Sequence, residues 1–191
     1  SDIIDLTDQM TADGKLECSL PAGRWRIYRF GWSITGKINH PASPEATGLE
    51  VDKLDPDAWM RYFHTYVDLY KEAAGGMLGE KGIRYLLVDS YEAGAYTWTP
   101  RLAEEFKSRR GYDLIPWLPV LAGEIIGSSQ MSERFLWDWR RTLGELFCEN
   151  YDRINDIVNE YGLSGRYTES HEGGRAYTGD GMDPKIKATV P

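Results

Sequence analysis

The stretch Ile83-Arg84-Tyr85-Leu86-Leu87-Val88-Asp89-Ser90-Tyr91-Glu92-Ala93-Gly94 decides how this chain reads. An apolar, strand-like segment, Ile83 to Val88, stops abruptly and hands two acidic side chains, Asp89 and Glu92, to a short turn. Near-continuous apolar content predicts a strand covered on both faces, as in parallel sheets. A second strand-like run, Gly165-Arg166-Tyr167-Thr168-Glu169-Ser170-His171-Glu172, ends in the same way. Carboxylates at the C-terminal ends of successive buried strands are how an α/β barrel assembles an acid/base site. The reaction such a pair most naturally serves is cleavage of a glycosidic bond.

Helical patterns flank both runs. Asp55 is placed to cap a helix that has Pro56 at its first position. Trp59, Phe63, Val67 and Tyr70 fall at spacings of three and four, on one face. Gly75-Gly76 predicts the stop, and Gly82 opens the central strand. Beyond the acidic turn, Pro100 predicts the start of a helix that runs through Leu102 and Phe106 to Arg110 and ends at Gly111. Tyr112 to Pro119 holds prolines that break a helical ladder, so it reads as an irregular connection with room for a short helix after it. Ser132 is the expected N-cap of the longest helix. Its stripe is Phe135, Leu136, Trp139, Leu143, Leu146, Phe147, Tyr151, Ile154, Val158 and Tyr161, stopped by Gly162. At ~1.5 Å per residue it should be roughly 40 Å long. Residues 164–170 are the last expected strand.

Residues 1–35 read as β. Ile3 to Leu6, Lys15 to Leu20 and Trp25 to Trp32 alternate or run apolar between the turn signals Asp13-Gly14 and Pro21-Ala22-Gly23. Residues 33–54 are turn-rich and polar, and a loop of that length is usually functional or disordered. Since a full eight-fold barrel needs roughly 250 residues, the 191 residues here predict an α/β chain that is part of a longer protein. Residues 1–30 would be the end of a β module. Residues 31–191 would form a partial (β/α) TIM-type barrel.

Composition narrows the function. Acidic side chains outnumber basic ones 30 to 22 with no basic run, so neither nucleic acid nor an anionic membrane is an expected partner. No stretch is long and apolar enough to span a bilayer. The N-terminus has no basic region and apolar core of a signal peptide. Cys18 and Cys148 make neither a disulfide framework nor a metal cluster, and Cys148, inside a helical pattern, is expected to be buried. No His-Glu-x-x-His, Gly-x-Ser-x-Gly or P-loop spacing occurs, which sets aside zinc, serine-hydrolase and nucleotide chemistry. The abundant Trp and Tyr either fill a core or line a cleft in which ring faces stack on sugar C–H groups.

Glu92 is the candidate general acid. It sits among Tyr91, Ala93, Tyr96 and Trp98, and apolar rings around a carboxyl favour its protonated form. The bland reading is a surface carboxylate in a turn. Glu169 is the candidate partner base, with Glu172 as its backup; polar neighbours suit a carboxylate that must stay ionised. Asp89 either binds a sugar hydroxyl or caps its own turn. Asp89, Tyr91, Trp98, His171 and Glu172 are the substrate-binding candidates around the acids, and Asn39 is the one in the polar loop. Glu50 and Asp52 offer oxygen ligands for a hard cation such as calcium, as do Asp180 and Asp183; a solvated loop is the default for both. The separation of the paired carboxyls would report stereochemistry, roughly 5–5.5 Å for retention and roughly 6.5–9.5 Å for inversion.

Several segments, in order, resemble the calcium-dependent α-L-rhamnosidases of glycoside hydrolase family 106. They are Thr35-Gly36-Lys37-x-Asn39-His40-Pro41-Ala42, Gly48-Leu49-Glu50-x-Asp52-Lys53, Asp89-Ser90-Tyr91-Glu92-Ala93-Gly94, Trp98-Thr99-Pro100, Arg109-Arg110-Gly111-Tyr112-Asp113, Ser132 to Asp138, and Asp180-Gly181-Met182-Asp183. The resemblance implies an inverting exo-enzyme that removes terminal L-rhamnose from glycans, with an α/β barrel, paired glutamates and a calcium ion that helps hold the sugar. Glu92 matches the general-acid position and Glu169 a second essential acidic position. A rhamnose-containing glycan or glycoside is the expected partner, and a periplasmic or secreted full-length protein the expected setting, its signal outside this chain. The alternative is a non-catalytic carbohydrate-binding module or an inactive relative, whose carboxylates only hydrogen-bond the sugar.

Overall fold

A computed structural model of the chain describes residues 3–88 and 96–168. Asp89, Tyr91, Glu92, Glu169, His171, Glu172, Asp180 and Asp183 lie outside the described residues. The chain folds into two compact units, Ser1–Ser33 with Leu102–Trp139, and Ile34–Arg101 with Arg140–Pro191.

In the second unit, helix α1 spans Pro56–Ala73. The Asp55 carboxylate accepts the Asp57 N–H at 3.0 Å, and Pro56 takes the first turn, where its missing N–H costs nothing. Trp59, Phe63 and Val67 are buried as their spacing predicts. Tyr70 shares their stripe but lies in the last turn and is 49% exposed, resting on Tyr66 with ring centres 4.8 Å apart. Both rings line an apolar groove of about 230 Å³ that continues over Ile83, Tyr85 and Leu87. The helix ends as Gly75-Gly76 predicts. The Gly76 N–H reaches back to the Lys71 carbonyl at 2.8 Å and the Gly75 N–H to that of Glu72 at 3.0 Å, the paired bonds of a left-handed glycine stop.

Strands β1 (Tyr85–Val88) and β2 (Gly165–Thr168) pair in parallel, with Tyr85 opposite Gly165 and Val88 opposite Thr168. A parallel pair needs a long crossover, and three helices supply it: α2 (Leu102–Arg110), α3 (Leu118–Leu121) and α4 (Ser129–Glu160). Coverage on both faces was the expectation for β1, and it holds on one face only. Leu86, Val88 and Arg166 are buried, whereas Tyr85 is 40%, Leu87 64% and Tyr167 40% exposed. The reason is period two: alternate side chains point to opposite faces, and among the described residues helices pack on one of them.

Arg166 is fully buried on β2, with its Nε donating to Asn155 Oδ1 at 2.8 Å and its guanidinium 6.0 Å from the centre of the Tyr151 ring. Burial pulls its pKa below the usual arginine value, with Asp152 and Tyr151 opposing. Both anchors stand on α4, whose Leu143, Leu146, Phe147, Ile154 and Ile157 are buried. Trp59 of α1 meets Tyr151 with ring centres 5.6 Å apart, so α1 and α4 share this core. Helix α4 has 32 residues, roughly 48 Å at the helical rise. It stops at Gly162 as predicted, with Leu163 N–H bonding the Val158 carbonyl at 2.9 Å and Gly162 N–H that of Asn159 at 3.1 Å.

Two glycines before the strands are in contact. A Cβ on Gly79 would sit 2.4 Å from the Gly162 carbonyl oxygen, and both residues have left-handed φ, +65° and +64°. A Cβ on Gly162 itself would meet nothing within 4 Å. Gly162→Ala should therefore cost about 1 kcal/mol from backbone conformation alone, and Gly79→Ala clearly more. Urea melts of the two variants test the ranking, and equal losses would refute the contact.

In the first unit, Leu102 and Phe106 of α2 are buried and Gly111 ends the helix as predicted. Phe106 packs edge-on to Tyr112 (4.9 Å) and against Phe135 (5.9 Å), which stacks on Trp117 (5.8 Å). The stretch expected to be irregular holds a 3-10 turn, Ile115–Trp117, followed by α3. Pro116 and Pro119 each take the second position of their element, where no helical N–H is required. Helix α4 begins four residues earlier than the Ser132 cap predicts. Ser128 Oγ accepts the Met131 N–H at 3.2 Å, while Ser132, buried inside the first turns, bonds both the N–H and the carbonyl of Ile126.

The β reading of the N-terminal residues is met only by an isolated bridge, Met10 to Leu16, around the Asp13-Gly14 turn, after a 3-10 turn at Thr7–Gln9. Trp25 to Trp32 forms no regular element, and Ile27 and Trp32 are exposed. Arg26 and Tyr28 both reach the Glu124 carboxylate, which lowers the pKa of Glu124 and raises that of Tyr28. Among the described residues Cys18 and Cys148 form no disulfide, and both are half-buried, so Cys148 is less enclosed than expected. Among the described residues no helix is long and apolar enough to cross a membrane.

Candidate active site

The parallel register positions the candidate acids' strands. Val88 and Thr168 are partners at the C-terminal end of the pair. The chain therefore leaves β1 for Asp89 and β2 for Glu169 at one end of one sheet, from neighbouring strands that typically lie about 4.8 Å apart. Glu92, Glu169, Asp89, Tyr91, His171 and Glu172 themselves fall outside the described residues. Their flanks do not.

The return from the acidic turn is held by the segment 50–54. Tyr96 is buried and its hydroxyl donates to the Val51 carbonyl at 3.4 Å. Burial, with the charges of Glu50 and Asp52 adding, pushes its phenol up to about 12. Thr99 is 3% exposed, and its hydroxyl donates to Asp52 Oδ2 at 2.9 Å. The other Asp52 oxygen accepts the Leu54 N–H at 2.9 Å. Trp98 is half-buried between these residues in sequence, with its indole Nε1 enclosed and unpaired among the described residues.

Glu50 pairs with the Lys53 ammonium at 2.5 Å, and Lys53 lies 5.8 Å from the centre of the Trp59 ring. Asn150 of α4 donates its side-chain N–H to the Lys53 carbonyl. Calcium takes six to eight oxygen ligands. Glu50 is paired with the Lys53 ammonium, and each Asp52 oxygen accepts one hydrogen bond, which leaves further lone pairs on both carboxylates. Among the described residues no group of three or more His, Cys, Asp or Glu is placed to hold a metal ion.

Asn39 braces its own loop. Its Oδ1 accepts the Gly48 N–H at 2.7 Å and its Nδ2 donates to the Ala46 carbonyl at 3.0 Å. Bonds between Lys37 and Glu50 and an Ile38–Leu49 bridge close the base, so the polar loop has more internal order than its composition suggests. The structure thus ties Asp52 to Thr99 and commits Asn39 within its own loop. Thr99, Lys53 and Asn150 were missed by sequence reasoning. Only Asn150 carried a signal: a polar residue four after Leu146 and three after Phe147, inside an apolar stripe, is a buried hydrogen-bonding group.

The known proteins that this chain is similar to agree with one another on the chemistry class. A rhamnosidase from Novosphingobium sp. PP1Y superposes with a TM-score of 0.86 at 48% identity, covering 97% of this chain and 18% of that one. A Formosa agariphila protein named "Putative beta-glucuronidase" is 40% identical over 163 residues, 85% of this chain and 14% of its own length. The chain spans less than a fifth of either relative. The glycoside hydrolase family 106 model, described as alpha-L-rhamnosidase, matches residues 1–191. With its whole length matched, the chain belongs to glycoside hydrolase family 106, the α-L-rhamnosidase family.

Proposed function

We propose that the protein carrying this chain is an inverting α-L-rhamnosidase acting on terminal L-rhamnose of a glycan or glycoside, with residues 31–191 as part of a (β/α) TIM-type barrel. The observation that carries the reading is the parallel register: Val88 and Thr168, the last described residues before the two acids, are strand partners. Glu92 donates its proton to the glycosidic oxygen as the bond to the sugar's anomeric carbon breaks. Glu169 takes a proton from the water that attacks the opposite face of the ring, so the products are free rhamnose and an alcohol. Asp89, Tyr91, Trp98, His171 and Glu172 hold the sugar. The calcium ion implied by the family resemblance would help hold the sugar's oxygens, with Glu50 and Asp52 as its candidate oxygen ligands. The protein works in the periplasm or outside the cell.

The name of the Formosa relative supplies the competing substrate. A parallel assay of the full-length enzyme on aryl α-L-rhamnoside and aryl β-D-glucuronide should release the aryl alcohol from the first alone. Release from the glucuronide alone would transfer the reading to that substrate, and release from neither would favour the inactive relative.

A further inference from the structure

We infer that Thr99 and Asp52 are positioning residues for the glycosidase reaction: their hydrogen bond fixes the return end of the turn that carries Glu92. The inference rests on the proposed role of Glu92 as proton donor. Residues 89–95 run between two anchors. The departing end is Val88, held in the sheet opposite Thr168. The returning end is Tyr96 to Thr99, tied to the segment 51–52 by the Tyr96 hydroxyl and by the 2.9 Å bond from Thr99 to Asp52.

Asp52 is itself immobilised. It accepts the N–H of Leu54, which is 2% exposed, and its carbonyl accepts the Asp55 N–H at 3.3 Å, so it is rooted in the cap of α1. Lys53, side chain 12% exposed, is gripped by Glu50, by the Trp59 ring and through its carbonyl by Asn150. Within this cluster the Lys53 ammonium pairs with the Glu50 carboxylate. The cluster's place in the fold lets it hold the far end of a short acid-bearing segment. Small displacements of a reacting group are costly, since about 1 Å of misplacement can lower rate by about a hundredfold.

Thr99→Val keeps the shape and removes the hydroxyl; Thr99→Ser keeps the hydroxyl. In the full-length enzyme, Thr99→Val should lower kcat on a rhamnoside with a poor leaving group about tenfold or more, with a smaller rise in KM, because the proton donor is misplaced more than the sugar is. The loss should be smaller on an aryl rhamnoside with a good leaving group, which needs less protonation, and Thr99→Ser should restore the rate. Should Thr99→Val lose its cooperative thermal transition, Asp52→Asn carries the same expectations. Thr99→Val within twofold of the unsubstituted enzyme, or an equal loss on both substrates, overturns the positioning role while leaving the rhamnosidase reading intact. Absence of rhamnoside hydrolysis in the unsubstituted enzyme overturns the reading beneath it, and the inference with it.

Discussion

Glu92→Gln should cut turnover of a rhamnoside with a poor leaving group by about 10²–10⁴-fold, the usual contribution of a positioned general acid. Glutamine matches the shape of glutamic acid and still hydrogen-bonds sugar, so binding of free rhamnose should survive. What it cannot do is transfer a proton to the departing oxygen. An aryl rhamnoside whose leaving group departs as the anion should therefore lose far less. Steady-state rates on the two substrates check it. Near-normal turnover on the poor leaving group removes Glu92 from the mechanism. Parallel loss of rhamnose binding and of turnover on both substrates would assign it to holding the sugar instead.

Arg166→Ala should destabilise the fold by about 3–5 kcal/mol, the range for breaking a buried charged interaction. The side chain is fully buried on β2, and its removal leaves the Asn155 oxygen without its 2.8 Å donor and the Tyr151 ring without its cation. For a domain of this size each kcal/mol is worth about 2–4 °C in Tm, so thermal unfolding should fall by roughly 10 °C. Arg166→Met fills the same space without a charge to desolvate and should lose less, since apolar replacement of a buried ion is often nearly neutral. If both variants melt with the unsubstituted protein, Arg166 contributes no net stability.

What the sequence reveals follows the range of the interaction. The cap at Asp55 and the stops at Gly75-Gly76, Gly111 and Gly162 are set by residues within a few positions of one another. All stand where the local pattern puts them. Ser128 and Ser132 compete for the start of α4 with the same chemistry; only the position of Ile126 shows that Ser132 bonds the preceding loop instead. Trp25 to Trp32 alternates like a strand, but alternation specifies an extended chain and a ladder needs a partner. The link from Thr99 to Asp52 joins residues 47 positions apart, and no local pattern announces it. The acids were legible as strand-end residues, and the adjacency of their strands became visible only with the register.

The approach of Gly79 to the Gly162 carbonyl lies at the end of the strand pair opposite the acids. The evolutionary consequence is that position 79 is barred from gaining even a methyl group for reasons remote from chemistry, while position 162 is restricted only by its left-handed backbone. An added residue between Leu78 and Ile83 would have to be absorbed before β1, because a one-residue shift of the Tyr85–Gly165 register would turn every side chain of the strand to the other face.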